Sequence, residues 1–248
     1  MIELKSFTKQ YGKKTAVSDV SFICPDCMIT GLIGANGAGK TTILKAICGI
    51  HYPTEGSVYV NNLSVEESPV EIRRNIGYVS ENAVFPENYF VSEYLNECAD
   101  MLESSGAESL RGKSEKNTQI SKVIKLFSLE TVLDKKIAAL SKGFRQRLSF
   151  AQAFIHEPSV LVLDEPVSGL DPLQMAEIRN VIRESGKTKT ILLSTHFMPE
   201  AETICDKIVF LHEGKKIADG TSDEICSHAG TKNLEEAFIK LTAAELGN

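Results

Sequence analysis

The chain has 248 residues, 42% of them hydrophobic, and its 27 basic and 33 acidic side chains give a formal net charge of −6. This length and apolar content predict one large globular unit with a substantial core. The negative charge argues against broad electrostatic binding to nucleic acid, so we expect no nucleic-acid partner. No stretch approaches the roughly 20 consecutive apolar residues of a membrane span, and residues 1–5 lack a basic-then-apolar signal.

The six cysteines do not reach the density of a disulfide scaffold, which predicts reduced thiols in a cytosolic protein. Cys24 and Cys27 form one C-x-x-C match. A structural zinc site usually needs a second pair, and the sequence has none at close spacing. We therefore expect no redox or metal role for this pair.

The first third of the chain alternates short strands with a helix. Residues 2–33 alternate apolar and polar side chains in short runs, as strands do. Residues 41–49 predict a helix that ends near Gly49, and Pro53 blocks its continuation. Further strands are predicted at 58–60 and 76–79, around a turn and a short helix.

A glycine-rich loop lies between the apolar run 29–33 and this first helix. Its sequence is Gly34-Ala35-Asn36-Gly37-Ala38-Gly39-Lys40-Thr41, followed by Thr42. The pattern G-x-x-x-x-G-K-[ST] between a strand and a helix predicts a phosphate-binding loop. Backbone N–H groups would surround one phosphate, Lys40 would reach the β- and γ-phosphates, and the Thr41 hydroxyl would ligate Mg²⁺. The alternative is an ordinary glycine-rich turn, and the flanking segments argue against it.

In the middle of the chain the sequence pattern changes from short strands to helices. Residues 120, 123, 124 and 127 are apolar with helical spacing, and residues 103–117 are rich in Ser, Gly, Lys and Glu. We predict an exposed loop over 103–117 that joins two helices. Together they indicate a helical subdomain, at about 86–157, inserted into an α/β core.

A second chemical signal follows this region. Residues 160–165 form an apolar run that ends in Asp164 and Glu165. A buried parallel strand has this pattern, and its carboxyl end faces the ligand crevice. Asp164 is then a candidate Mg²⁺ contact, and Glu165 is a candidate to polarise an attacking water. The alternative is a strand followed by a solvated acidic turn.

Further along, the amphipathic segment 234–241 predicts a helix that packs on the core, with binding to a partner protein or to a membrane surface as alternatives.

Residues 140–147 identify a family. Leu140-Ser141-Lys142-Gly143-Phe144-Arg145-Gln146-Arg147 resembles the signature segment, usually LSGGQ, of ATP-binding cassette (ABC) ATPases. The family's other motifs occur in order over nearly the whole chain. Tyr11 resembles the aromatic residue that stacks on adenine, and Glu81 occupies the Q-loop position. Residues 168–171 resemble the D-loop, and His196 resembles the switch histidine.

Several of these residues also have a purely structural interpretation. Tyr11 would otherwise be an exposed aromatic in a turn. His196 would otherwise be a structural histidine, although it follows a predicted strand at 190–193, where ligands bind in open α/β sheets. Asp171 and Pro172 also have the pattern of a helix start.

Two departures from the family pattern stand out. Lys142 and Phe144 replace a glycine and the glutamine of the signature, whereas Ser141 and Gly143 are retained. Lys142 adds a positive charge near phosphate or is merely a solvated side chain. Glu81 replaces the usual glutamine, and its carboxylate makes it a candidate Mg²⁺ contact. These departures resemble the cassettes of exporters, including the gliding-motility type.

The resemblance implies a fold, a reaction and partners. The fold expected is α/β, a P-loop NTPase core with an antiparallel β subdomain and the inserted helical subdomain, forming one ABC ATPase domain over 1–248. Two such domains would close around two ATP molecules with Mg²⁺, and Ser141 and Gly143 of one would contact the γ-phosphate held by the other. Glu165 and His196 would be catalytic. A separate transmembrane permease of the exporter type would hold the chain at the cytoplasmic face of the membrane.

Three other functions remain open at this point. Cassettes that act on DNA, chromosomes or ribosomes usually carry coiled coils, a second cassette or basic extensions, and none is found here. An ATPase in protein-complex assembly is compatible with the sequence. The departures at Glu81, Lys142 and Phe144 leave open a cassette that binds ATP without hydrolysing it, whereas Glu165 and His196 argue against it.

Overall fold

Two β-sheets organise the chain in the computed structural model, which describes residues 1–246. The strands are β1 (Ile2–Tyr11), β2 (Lys14–Cys24), β3 (Ile29–Ile33), β4 (Glu55–Val60), β5 (Leu63–Ser64), β6 (Ile76–Val79), β7 (Val160–Asp164), β8 (Thr190–Thr195), β9 (Lys207–His212) and β10 (Lys215–Gly220). The α-helices are α1 (Lys40–Ile47), α2 (Pro69–Asn75), α3 (Val91–Ser104), α4 (Lys113–Leu126), α5 (Lys142–Phe154), α6 (Pro172–Gly186), α7 (Met198–Ile204), α8 (Ser222–Ala229) and α9 (Leu234–Leu246).

The two sheets differ in strand direction. Four strands pair antiparallel in the order β2-β1-β4-β5. Six strands form the order β10-β9-β3-β8-β7-β6, in which all neighbours are parallel except β10 and β9. The predicted α/β class with an antiparallel part is confirmed. Because β3, β8 and β7 are adjacent and parallel, the segments that follow them meet at one edge of the sheet.

The central strands are buried on both faces, as their continuous apolar sequences predict. Alternate residues of β7 face opposite sides. Val162 belongs to the core shared with α1 and the antiparallel sheet, whereas Leu161 and Leu163 belong to the core shared with α5 and α6. The parallel sheet is therefore covered on both sides, and only its edges and ends reach solvent.

Three α-helices of the described chain, α3, α4 and α5, lie between β6 and β7, in the region where we predict the helical subdomain. Phe127 follows α4 and contacts Phe150 and Phe154 of α5, with ring centroids 5.6 and 5.2 Å apart. The predicted loop over 103–117 is wrong in extent, because α4 already begins at Lys113. Its polar residues form a solvent-facing helical surface, where Lys116 pairs with Glu103 of α3.

The end of the described chain packs on the parallel sheet. The helix predicted over 234–241 is confirmed as part of α9. Leu234 and Ala237 are buried, and Phe238 lies edge-on to Phe210 of β9 at 5.2 Å. No helix within residues 1–246 combines the length and the apolar character that crossing a membrane requires.

His156 is a buried titratable group that joins α5 to the parallel sheet. Its Nε2–H donates to the carbonyl oxygen of Ile76, the first residue of β6, at 3.2 Å. Its Nδ1 is buried and has no hydrogen-bond partner among residues 1–246. Burial lowers the pKa of His156 from 6.5 to about 4, so the folded protein holds this imidazole neutral.

We expect His156 to make folding pH-dependent. Between pH 6.5 and pH 4 the unfolded chain binds a proton on His156 that the folded chain excludes. The free energy of unfolding should therefore fall as the pH falls through this window, by up to about 3 kcal/mol. Urea unfolding at several pH values should show a flatter dependence for His156→Gln than for the wild type. The exposed His228→Gln serves as the control, and equal slopes for the wild type and His156→Gln would contradict the assignment.

Candidate functional site

The glycine-rich loop after β3 has a backbone that only glycine accommodates well. Gly37 and Gly39 have φ values of +84° and +103°, in the left-handed region. A side chain at Gly39 would also meet Val17 Cγ2 at 2.8 Å, and one at Gly34 would meet the carbonyl oxygen of Leu211 at 2.2 Å. The loop therefore folds tightly against β2 and β9 and holds the start of α1 in place.

The N-terminus of α1 presents backbone donors to this loop. The first helical bond runs from the N–H of Ile43 to the carbonyl oxygen of Gly39, at 3.1 Å. No side chain caps the helix at Gly39. The N–H groups of Lys40, Thr41 and Thr42 therefore have no acceptor within the helix, which is the arrangement that binds phosphate.

Lys40 is a buried cation that joins the loop to the carboxylates. Its Nζ donates to the carbonyl oxygens of Gly34 at 2.7 Å and Ala35 at 3.3 Å. It also lies 3.6 Å from Glu165 Oε1, with both side chains less than a tenth exposed. A cation held this way is desolvated, so its attraction for a nearby anion is stronger than at a solvated surface.

Asp164 at the end of β7 is held by two hydroxyl groups. Its Oδ2 accepts a hydrogen bond from Thr41 Oγ1 at 2.9 Å, and its Oδ1 accepts one from Ser194 Oγ at 2.6 Å. Ser194 Oγ accepts in turn from the backbone N–H of Glu165 at 3.0 Å. Ser194 was not among the predicted site residues, although it directly follows the strand predicted at 190–193.

Glu165 and His196 face each other beside this carboxylate. His196 Nδ1 lies 3.0 Å from both carboxylate oxygens of Glu165. Glu165 is 9% exposed and has a φ of +48°, an uncommon value for a non-glycine residue that turns the chain directly after β7. The Glu165 carboxylate thus lies between the Lys40 ammonium and an imidazole that is 54% exposed.

A cavity of about 790 Å³ contains most of the predicted nucleotide-site residues. Tyr11 lies at its edge, half exposed, with Lys9 Nζ 5.4 Å from the ring centroid. The lining also includes the loop from Asn36 to Thr42, together with Glu81, Asp164 and Glu165. The sequence reasoning did not identify Lys14, Thr15, Ala16 and Glu213, which line the same cavity. Gly34 and Ala35 are not among the lining residues in the described chain, and their carbonyl oxygens accept hydrogen bonds from Lys40 Nζ.

Ser141 and Gly143 lie at the start of α5 and do not line this cavity within the described residues. Ser141 is the N-cap of α5, and its Oγ accepts from the N–H of Phe144 at 3.4 Å. A side chain at Gly143 would collide with Gln174 Oε1 at 2.6 Å. The structure therefore places these two predicted ligands on α5, against the start of α6, and not beside the loop of their own chain.

Known proteins of one family are similar to this chain in sequence. A family model described as "ABC transporter" matches residues 17–168, more than half of the chain. The chain is 36% identical to the "Probable multidrug ABC transporter ATP-binding protein YbhF" of Escherichia coli over 97% of its length, but spans only 41% of that protein. It is 32% identical to the "ABC-type transporter ATP-binding protein EcsA" of Bacillus subtilis, over 100% of this chain and 99% of that one.

A solved structure agrees with these sequence relatives. The structure described as "ATP binding subunit of ABC transporter" superposes with a TM-score of 0.88 at 33% identity, over 98% of this chain and 99% of the other. The glycine-rich loop, the carboxylates at the end of β7 and the signature segment at the start of α5 all lie within the residues that the family model matches. The chain belongs to the ABC transporter family and has the fold of its ATP-binding ATPase subunits.

Proposed function

We propose that the chain binds and hydrolyses ATP with Mg²⁺ and that closure of two such domains drives export through a separate membrane permease. The strongest support is the pair of contacts that join the loop to the carboxylates. They are the hydrogen bond from Thr41 to Asp164 and the ion pair between Lys40 and Glu165. This arrangement supplies a cation, a metal-binding pair and a general base around one position for a terminal phosphate.

The residues present fit Mg²⁺-ATP. The Thr41 hydroxyl and the Asp164 carboxylate are 2.9 Å apart, and the Glu81 carboxylate lines the same cavity, which gives the oxygen donors that Mg²⁺ prefers. When bound, the metal neutralises charge on the β- and γ-phosphates. The loop N–H groups and Lys40 bind the phosphates, and Tyr11 at the cavity edge stacks on adenine.

Glu165 and His196 are the proposed catalytic pair. The Glu165 carboxylate orients a water molecule and accepts its proton as the water oxygen bonds to the γ-phosphorus. The bond from that phosphorus to the β–γ bridging oxygen breaks, and ADP takes the electron pair. Because His196 contacts both oxygens of Glu165, it fixes the carboxylate and can meet the charge of the γ-phosphate.

A second ATPase domain would complete the site. Ser141 and Gly143 lie outside the cavity of their own chain, with the N-terminus of α5 available to a phosphate held elsewhere. We propose that the partner is another ABC ATPase domain, in a homodimer or a heterodimer. ATP then stabilises the closed pair, and hydrolysis removes this preference.

The permease would bind the chain at the cytoplasmic face of the membrane. A mainly apolar groove of about 370 Å³ lies between β6, α3 and α5 and includes the exposed side chains of Ile50 and Met101. We propose this groove, which includes Tyr78 three residues before Glu81, as the docking site of a permease segment. The relative YbhF is described as a "Probable multidrug ABC transporter ATP-binding protein", which supports export as the direction.

Replacement of Lys40 tests the binding half of the proposal. Lys40→Met removes the buried cation beside the loop, so we expect the affinity for ATP to fall by at least about tenfold. Lys45→Met is the matched control, because Lys45 lies on the same helix outside the cavity. Titration with a fluorescent ATP analogue measures both. Equal affinity of Lys40→Met and the wild type would contradict the proposed phosphate site.

Replacement of Glu165 tests hydrolysis and closure together. Glu165→Gln keeps the size of the side chain but is a poor proton acceptor, so we expect turnover to fall by about 10²- to 10⁴-fold. Bound ATP then persists, and the mass in solution should double with ATP and Mg²⁺. A variant that stays monomeric would point to a missing second cassette or an obligatory permease. Unchanged turnover would remove Glu165 from the role of base.

A further inference from the structure

Glu200 is a buried carboxylate that the proposed mechanism does not use. It lies on α7, four residues after His196, and is only 2% exposed. Burial raises the pKa of Glu200 above its usual value, partly offset by the Thr195 hydroxyl and the Arg179 guanidinium. Its Oε1 has no hydrogen-bond partner in the part of the chain that the structure describes. Burying a carboxylate is costly, so its contacts should indicate what it does.

The other carboxylate oxygen is bound to the turn that carries His196. Thr195 Oγ1 donates to Glu200 Oε2 at 2.8 Å. The same Thr195 oxygen accepts from the backbone N–H of Phe197 at 3.1 Å. Glu200 thus fixes Thr195, and Thr195 fixes Phe197, so both neighbours of His196 are held by one connected set of hydrogen bonds.

His196 depends on this support because its own side chain has little packing. Its imidazole is 54% exposed, and the neighbouring Phe197 is also 52% exposed. Apart from its contact with Glu165, the ring therefore depends for its direction on the backbone on either side of it. That backbone leaves β8 at Thr195 and enters α7 at Met198.

We propose that Glu200 is a positioning residue for His196, acting through Thr195 and the Phe197 amide to hold the imidazole on Glu165. The inference rests on the proposed function, because it assigns His196 a part in hydrolysis. Glu200 does not touch the nucleotide cavity and is not among its lining residues in the described chain. Its loss should therefore lower kcat and leave the affinity for ATP nearly constant.

Turnover measurements on three variants test the proposed role of Glu200. Glu200→Ala should lower kcat on the order of 10- to 100-fold, as misplacement of a catalytic group does. Glu200→Gln should recover most of this loss, because its amide oxygen can still accept from Thr195. Glu202→Ala is the matched control on the same helix, since Glu202 is exposed and accepts instead from the N–H of Leu234. We expect its kcat to stay within about twofold of the wild type.

A double variant shows whether Glu200 acts through His196. Single-turnover hydrolysis is compared for His196→Ala and for His196→Ala combined with Glu200→Ala. If Glu200 only positions His196, the double variant should be no slower than His196→Ala alone. A further loss of 10-fold or more in the double variant would overturn the inference.

A spectroscopic readout covers the case in which Glu200→Ala folds poorly. Thr195→Val removes the same hydrogen bonds at a different residue, and ring NMR signals report on each histidine. In Thr195→Val and Glu200→Ala the His196 signals should move, whereas those of the exposed His228 should not. Unmoved His196 signals would overturn the inference. If instead His196→Ala and Glu165→Gln both hydrolyse ATP at the wild-type rate, the proposed function itself fails.

Discussion

The parallel register of β3, β8 and β7 is the constraint on which the site depends. Asp164 is the register partner of Ser194, and Ile33, directly before the glycine-rich loop, is the register partner of Thr195. This pairing lets one serine hydroxyl bond both Asp164 and the backbone of Glu165. Successive side chains of a strand point to opposite faces of the sheet, so a shift of one residue in the strand pairing would move Asp164 to the opposite face. The loop, the carboxylates and the histidine are therefore brought together by strand pairing and not by any local motif.

The sequence predicted the parts of the site that local patterns encode. The glycines and Lys40 are confined to one loop, and an apolar run before Asp164 indicates a buried strand in any context. Ser194 and Glu200 were missed, because their roles depend on contacts with residues 30 positions away or on burial by other elements. The start of α4 was placed too late for a similar reason, since exposed polar residues look alike in a loop and on a solvent-facing helix.

The departures from the family pattern fit within the chain's own fold. Lys142 lies directly over Gly169, whose φ of +70° and lack of a side chain leave room for it. Phe144 is partly buried and packs under Arg147, with the guanidinium carbon 5.9 Å from the ring centroid. Ser141 still caps α5. The signature segment therefore keeps its helix start and is joined to the segment before α6, where Gln146 Nε2 donates to the carbonyl oxygen of Pro166 at 2.8 Å.

In the dimer that we propose, each ATP site combines the loop of one chain with Ser141 of another. The most direct test mixes Glu165→Gln with Ser141→Arg before ATP is added, since each variant alone should be inactive. In a mixed dimer, one site would combine the intact loop and Glu165 of the Ser141→Arg chain with the intact Ser141 of the Glu165→Gln chain. An equal mixture should recover roughly a quarter of wild-type turnover, because half of the dimers are mixed and each has one intact site. A mixture as inactive as its components would contradict a site shared between two chains.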